Sequence, residues 1–307
     1  MAQDIDIAVA WDWSYDIEFI ALIRSACDEQ GVRMSAFGAD DARAAAAAVR
    51  SGDLRAGSFL DRAAPDEEPF AALSAAMIAS GARYFNHPAA VRRAADKATM
   101  HLEFLSHGIE VPYTIIISPY NRERQVELSL THLARLGRPF IIKPANTTGG
   151  GTGVITGAET LKDVLDSRQH HRDDKYLLQE KVVPADLGGR RAWFRVFFVL
   201  GRVFPCWWDD LTHVYGQVTQ DETTRFGLSP LGSMAVEIGA VCGLDFFSTE
   251  IALDTGGRFV TVDYVNEICD MRLQSQHQDG VPDTLAGEIA GLFACAARGE
   301  KSGGIKN

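Results

Sequence analysis

Residues 140–154 read FIIKPANTTGGGTGV, and the rest of the chain is best understood outward from them. Phe140 to Lys143 give a short apolar strand signal that ends in a cation. Pro144 closes it, and a run of small, polar and glycine residues follows, which is a loop by composition. Successive glycines let a backbone approach a ligand closely and aim its N–H groups at it. The threonine hydroxyls add donors. Lys143, ending an apolar strand, should emerge at a sheet edge beside the loop. A cation next to a nest of amides is a phosphate site in physical terms. No Gly-Lys-Ser/Thr opens a helix here, so the segment is not a Walker A loop. Taken alone, it also fits a hairpin turn with an incidental lysine.

The totals narrow the partners. The chain has 307 residues, 30 Lys+Arg against 41 Asp+Glu, and a formal net charge of −11. That balance argues against gripping nucleic acid and against docking on anionic lipid by charge. It does not exclude a small anionic ligand, because net charge is a global sum and a site is local. Only seven lysines occur (97, 143, 162, 175, 181, 301 and 306), so a lysine in an apolar stretch stands out. The length suggests on the order of two domains. The five cysteines are scattered, and none are at metal-ligand spacing, which points to reduced thiols. The N-terminus lacks a basic region followed by an apolar run, and no stretch approaches the roughly 18 apolar residues of a membrane span. The expected setting is the cytoplasm.

Along the first ninety residues strand and helix signals alternate. IDIAVA (5–10) and VRMSAFG read as buried strands. Residues 16–29, the Ala-rich stretch after Gly38 and EEPFAALSAAMIAS read as helices. This predicts a parallel sheet with helices on its faces. Residues 96–107 predict a helix with Asp96 as N-cap and Gly108 as stop. Strands VPYTIIIS, RPFIIKP and KYLLQEKVV follow, with a helix expected around 123–136 and another near 158–167. From about residue 190 the strands lengthen: RAWFRVFFVL, GRVFPCWW and THVYGQVT. A helix near 230–242 precedes FFSTEIALD and GRFVTVDYV, which read as a hairpin turning at Thr255-Gly256-Gly257. A last helix is expected near 283–298.

That hairpin carries a second constellation. Glu250 lies in one strand, Asp263 in the next, and Asn266 just beyond. Two acids on adjacent antiparallel strands can face each other, and a divalent cation between them relieves their repulsion. Carboxylate and amide oxygens suit Mg²⁺, which also takes phosphate ligands. The competing reading is a surface strand pair with ordinary exposed acids.

In order and spacing, these segments resemble the ATP-grasp superfamily of carboxylate–amine ligases, over about residues 80–275. NHPAAVRRAADKATMHLEFLSHGIEVPYT resembles the segment that opens the family's nucleotide-binding region and supplies its first phosphate-binding lysine, here Lys97. FIIKPANTTGGGTGV resembles its strand lysine and flexible loop, here Lys143 with Gly149, Gly150, Gly151, Thr152 and Gly153. YLLQEKVV resembles the adenine hinge. By the resemblance Glu180 accepts from the adenine amino group, the backbone of Lys181 and Val182 meets the adenine edge, and Asp186 reaches the ribose. WFRVFFVLGRVF supplies Arg195, which in the family meets phosphate or the acyl-phosphate intermediate. FFSTEIALDTGGRFVTVDYVN resembles the metal hairpin, making Glu250, Asp263 and Asn266 the metal ligands.

The implied fold is α/β. It comprises an N-terminal Rossmann-like, parallel-sheet substrate domain (1–95), a central ATP-grasp subdomain with the glycine loop (96–180) and a C-terminal one with the metal site (181–307). The implied activity is ATP- and Mg²⁺-dependent joining of a carboxylate to an amine, such as an amino acid or peptide-like substrate, through an acyl phosphate. ADP and phosphate are released, and Mn²⁺ can substitute. A small-molecule kinase on the same scaffold is the alternative, and the resemblance leaves a homodimer open.

Two departures matter. The family commonly ends the hairpin Glu-x-Asn-x-x-Pro-Gly. Here Asp263 to Asn266 is one residue longer, and EICDMRLQS follows without Pro-Gly. The usual Asp two residues before the strand arginine is Trp193 here. Arg272, whose planar fork suits a carboxylate, is the candidate for holding the acceptor, against a surface ion pair with Asp270 or Glu267. Asp12, Trp13, Tyr15 and Asp16 follow the first strand, where α/β domains often bind ligands, against a helix-initiating turn. Trp207 and Trp208 read as core packing rather than pocket lining. His87, His101, His213 and His277 read as packing or hydrogen-bonding residues.

Overall fold

The computed structural model describes residues 2–63, 67–147 and 153–299. Elements in chain order are β1 (Gln3–Trp11), α1 (Ile17–Gln30), β2 (Met34–Phe37), α2 (Ala39–Ser51), β3 (Leu54–Arg62), α3 (Phe70–Ser80), β4 (Arg83–Phe85) and α4 (Pro88–Ala95). They continue as α5 (Lys97–Ser106), β5 (Thr114–Ile117), α6 (Leu130–Leu136), β6 (Phe140–Pro144), β7 (Ile155–Ala158), α7 (Leu161–Ser167) and β8 (Tyr176–Glu180). The last third is β9 (Trp193–Val199), β10 (Arg202–Trp208), β11 (Tyr215–Gln217), α8 (Gln220–Phe226), α9 (Pro230–Cys242), β12 (Phe246–Leu253), β13 (Phe259–Asn266) and α10 (Asp283–Ala297).

Three sheets result. Strands β2-β1-β3-β4 form a parallel sheet, as the alternating strand and helix signals predict. Strands β5-β8-β6-β7 form an antiparallel sheet, and β11-β10-β9-β12-β13 a second, larger one. The Asp96 side chain caps α5, accepting from the N–H groups of Ala98 and Thr99 at 3.0 and 3.1 Å, as a good N-cap should.

Some elements depart from the sequence reading. The helix expected around 123–136 is confined to Leu130–Leu136. The buried Arg168 guanidinium instead donates to the carbonyls of Ser118 and Glu123, both at 2.6 Å, and so holds the segment before it in an irregular path. β3 carries Gly57 and Asp61 within LRAGSFLDR, which dilutes its strand signal. It forms because it pairs along almost the whole length of β1. Short α8 begins with a Thr219–Glu222 capping box, which is local chemistry that apolar periodicity does not register.

The largest core joins the parallel sheet to the large antiparallel sheet. α1 and α10 pack together, and their apolar faces meet Phe197, Val199, Trp208, Tyr215 and Phe246. Phe293 of α10 stacks edge-on against Phe85 of β4 and Phe246 of β12, with centroids 5.4 Å apart in both cases. The other face of the large sheet is covered by α9, through Leu231 and Ala235 packed on Phe194, Val196 and Ile251. Among the described residues no helix is long and apolar enough to cross a membrane. Cys27, Cys206, Cys242 and Cys269 are buried thiols, and Cys295 is a half-buried one.

Candidate active site

The site begins as a row of residues across the large sheet. Arg195 on β9 pairs in register with Glu250 on β12, and Glu250 with Asp263 on β13. In a regular antiparallel ladder Asp263 and Asn266, three residues apart, would point to opposite faces. The β12–β13 register shifts on both sides of Glu250: Ser248 faces Asn266, Glu250 faces Asp263 and Ile251 faces Thr261. β13 therefore carries extra residues as bulges, which re-aim side chains. The added residue between Asp263 and Asn266 is absorbed there, and Asn266 turns to the Arg195 face. With its amide oriented to satisfy both ends, Asn266 accepts from Arg195 Nη2 at 2.6 Å and donates to the Ile268 carbonyl at 3.0 Å.

Arg195 is the hub of this row. It donates to Ser248 Oγ at 3.1 Å and to Glu250 Oε1 at 3.1 Å, with its guanidinium 5.1 Å from the centre of the Trp208 ring. Trp193, two residues before Arg195 on β9, donates its indole N–H to the second Glu250 oxygen at 3.0 Å. Both lysines converge on this row from outside the large sheet, Lys97 from α5 and Lys143 from β6. Lys97 opens α5, and its backbone N–H donates to the Ala145 carbonyl at the end of β6. Its ammonium lies 3.7 Å from Asp263 Oδ1. Lys143 is buried and donates to the Val262 carbonyl at 3.0 Å, in the bulged part of β13.

The electrostatics follow from burial and neighbours. Burial raises the Glu250 carboxyl above the usual glutamate value and Asp263 adds to this, against Arg195, Trp193 and Lys143. Burial acts the same way on Asp263, but Lys97, Lys143 and Arg195 outweigh it, and its pKa lies below the usual aspartate value. Lys143 is pushed down to about 8 by burial, with Lys97 adding to the effect and the two carboxylates opposing it. The site thus brings three cations and two carboxylates together. The donor set of two carboxylates and one amide oxygen, all oxygen, fits Mg²⁺.

The loop residues Gly149, Gly150, Gly151 and Thr152 lie outside the described residues. Gly153 is described: its φ is +76°, and a Cβ there would stand 3.2 Å from Pro144 Cγ, so glycine is required twice over. Asp174 anchors the start of this loop, accepting from Asn146 N at 2.9 Å, Asn146 Nδ2 at 2.8 Å, Thr147 N at 3.0 Å and Thr147 Oγ1 at 2.9 Å. Glu180 ends β8 and already accepts from the Tyr113 N–H at 2.9 Å. Lys181 and Val182 follow in an extended connection, Lys181 exposed. Asp186 closes a turn by accepting from Gly189 N at 2.9 Å.

Other candidates have structural partners. Asp16 is buried in a bidentate ion pair with Arg62, at 2.9 and 2.5 Å, and Arg62 also donates to the Cys269 carbonyl at 2.8 Å. Asp16 lies in the turn before α1 without capping it, and through Arg62 it joins the parallel sheet to the segment after β13. Arg272 is held by Asp270 at 2.6 Å and Asp279 at 2.9 Å, with its guanidinium 5.4 Å from the centre of the exposed Tyr15 ring. The ion pair weighed against its acceptor role is therefore present, with Asp279 as an added partner. Trp207 and Trp208 are both buried. His101 is a buried hydrogen-bonding residue, its ring 2.7 Å from the Tyr264 hydroxyl. Sequence reasoning missed Ser248, Asn86, Asp174 and Arg62. Only Ser248 left a signal, sitting two residues before Glu250 and hence on its face.

No protein-family model and no curated protein sequence matches the chain. Solved structures do. A RimK domain protein ATP-grasp from Sphaerobacter thermophilus is 19% identical, with 94% of this chain and 97% of that one covered at a TM-score of 0.60. The ATP-grasp ligase PsnB, complexed with precursor peptide PsnA2 and AMPPNP, is 13% identical over 98% of this chain and 99% of that one, TM-score 0.64. D-alanine–D-alanine ligase from Bacillus anthracis, complexed with ATP, is 12% identical over 95% of both chains, TM-score 0.63. The chain has the ATP-grasp fold.

Proposed function

We propose that this chain is an ATP- and Mg²⁺-dependent ligase that joins a carboxylate to an amine through an acyl phosphate, releasing ADP and phosphate. The observation that carries this reading is the meeting of Lys97, Lys143 and Arg195 around the register pair Glu250–Asp263. Neighbours of the same fold bear names of ATP-dependent ligases, some with AMPPNP, or with Mg and ADP, bound.

Phosphoryl transfer asks little covalent chemistry of a protein; it asks for positioning and charge neutralisation. Lys97 and Lys143 would hold triphosphate oxygens, with the 149–153 loop amides beside them. Glu250, Asp263 and Asn266 would hold Mg²⁺, which supplies further charge neutralisation of the triphosphate. Glu180, Lys181, Val182 and Asp186 would line the adenine and ribose side. Arg195, free to exchange Asn266 for a ligand oxygen, would stabilise charge on the transferred phosphoryl group and acyl phosphate. Arg272 would hold an acceptor carboxylate by exchanging Asp270 or Asp279 for it. In this reading residues 1–95 contribute the substrate side, and 96–180 and 181–307 clamp the nucleotide.

The test is ADP and free phosphate release with panels of small carboxylates, each with and without amines. Phosphate release that requires both partners supports ligation. Label from γ-labelled ATP retained on an acceptor hydroxyl would instead show a kinase. Lys143→Ala should abolish turnover while the protein stays folded.

A further inference from the structure

One buried polar cluster lies beside the row of charges and joins α5, β6, β8 and β13. Tyr264 follows Asp263 on β13, within the bulged stretch, and is fully buried. Its hydroxyl meets His101 Nδ1 at 2.7 Å and accepts from Gln179 Nε2 at 2.9 Å. His101 sits one turn after Lys97 on α5, and Gln179 immediately precedes Glu180 on β8. The Lys143 ammonium lies 5.1 Å from the centre of the Tyr264 ring. Phe104 packs edge-on against the same ring at 5.4 Å.

We propose that Tyr264 is a positioning residue for ATP: its ring holds the Lys143 ammonium, and its hydroxyl, clamped by His101 and Gln179, fixes that ring relative to α5 and β8. The inference rests on the nucleotide reading of Lys143 above. A desolvated ammonium near an aromatic ring is attracted by its quadrupole. Among the described residues Lys143 has one hydrogen-bond partner, the Val262 carbonyl, for its three N–H donors. The ring thus supports the cation without using the donors a phosphate would take. The hydroxyl clamp matters because Tyr264 ties β13 to α5 and β8, so a shift of either element moves the ring and the lysine with it.

The experiment is a double-mutant cycle read by calorimetric binding of AMPPNP with Mg²⁺ to the full chain. Tyr264→Leu should weaken binding about tenfold or more in the wild-type background and less than twofold in a Lys143→Met background. Tyr264→Phe, which keeps the ring, should stay within about threefold. An equal loss from Tyr264→Leu in both backgrounds would overturn the positioning role while leaving the nucleotide site intact. Lys143→Met binding as tightly as wild type would overturn the nucleotide reading itself. A measurement on the unmutated protein guards against a variant that fails to fold. With ¹³C at lysine Cε, seven lysine signals arise, and that of Lys143 should be displaced upfield by the ring current. A Lys143 signal among those of exposed lysines refutes the contact.

Discussion

Lys97 Nζ stands 3.7 Å from Asp263 Oδ1, so a cation assigned to phosphate answers a carboxylate assigned to metal. Arg195 and Glu250 repeat the arrangement at 3.1 Å. The two pairs answer each other, and Lys143 leaves one cation over. Under the proposed function, metal and triphosphate would bind as a set, the metal taking the acids as the phosphates take the cations.

Asp263→Asn tests this exchange. The pair is partly exposed and worth about 0.5–1 kcal/mol. With the carboxylate gone, Lys97 is released. AMPPNP binding in EDTA should then be about two- to fivefold tighter than in wild type, while turnover with Mg²⁺ falls at least about 100-fold. Calorimetry in EDTA decides; weaker metal-free binding in the variant counts against the exchange.

Lys143 gives a pH dependence of known sign. Burial pushes its pKa down to about 8 in the folded chain, from an ordinary value of 10.5. Between those values the unfolded chain holds more protons, so this group makes stability rise with pH through that window. Below about pH 8 the buried charge is a standing cost. Lys143→Met should raise the melting temperature at pH 7 by roughly 2–4 °C, a gain that shrinks toward pH 10. Phosphate needs the ammonium, so wild-type ATP affinity should fall as pH rises through about 8. Melting and calorimetry at pH 7 and 9.5 check both arms.

Trp193→Phe removes the indole donor from Glu250 while keeping most of the ring. Partners that orient a ligating carboxylate typically matter about 10–100-fold in metal affinity. Mn²⁺ binding in the presence of AMPPNP, followed by its electron paramagnetic resonance signal, should weaken within that range. An unchanged affinity would mean that Arg195 alone sets the carboxylate.

Asp16→Asn should destabilise the chain by about 3–5 kcal/mol, since it leaves the Arg62 charge buried and unanswered. Urea unfolding measures it. Replacing both residues by apolar ones of similar volume should recover much of the loss, and a loss below about 1 kcal/mol in the single variant would show that water reaches Arg62.

The sequence disclosed what is local. Lys143 ends an apolar strand, Asp96 caps the helix that Lys97 opens, and the hairpin turn at Gly256-Gly257 sets Glu250 against Asp263. What it concealed was long-range or geometric. The extra residue before Asn266 looked like a departure, because a bulge is visible only once the partner strand is in place. Asn86 was unreadable for the same reason. It sits at φ 57°, and its side chain bonds the backbone of Asp245, Phe246 and Glu267, about 160–180 residues away. Asp16 was singled out with its neighbours after the first strand, but nothing in the sequence pairs it with Arg62, 46 residues away.

Phe293 touches both Phe85 of the parallel sheet and Phe246 of the large antiparallel sheet, so the final helix works as a rivet through both. The first ninety-five residues are for that reason not a detachable module. A fragment starting at residue 96 would bare Phe246, Phe293 and the inner face of α10 to water, and one ending at 95 would bare Phe19 and Phe85. Swapping the first domain for that of another protein of this fold to change the substrate would need α10 to be exchanged with it.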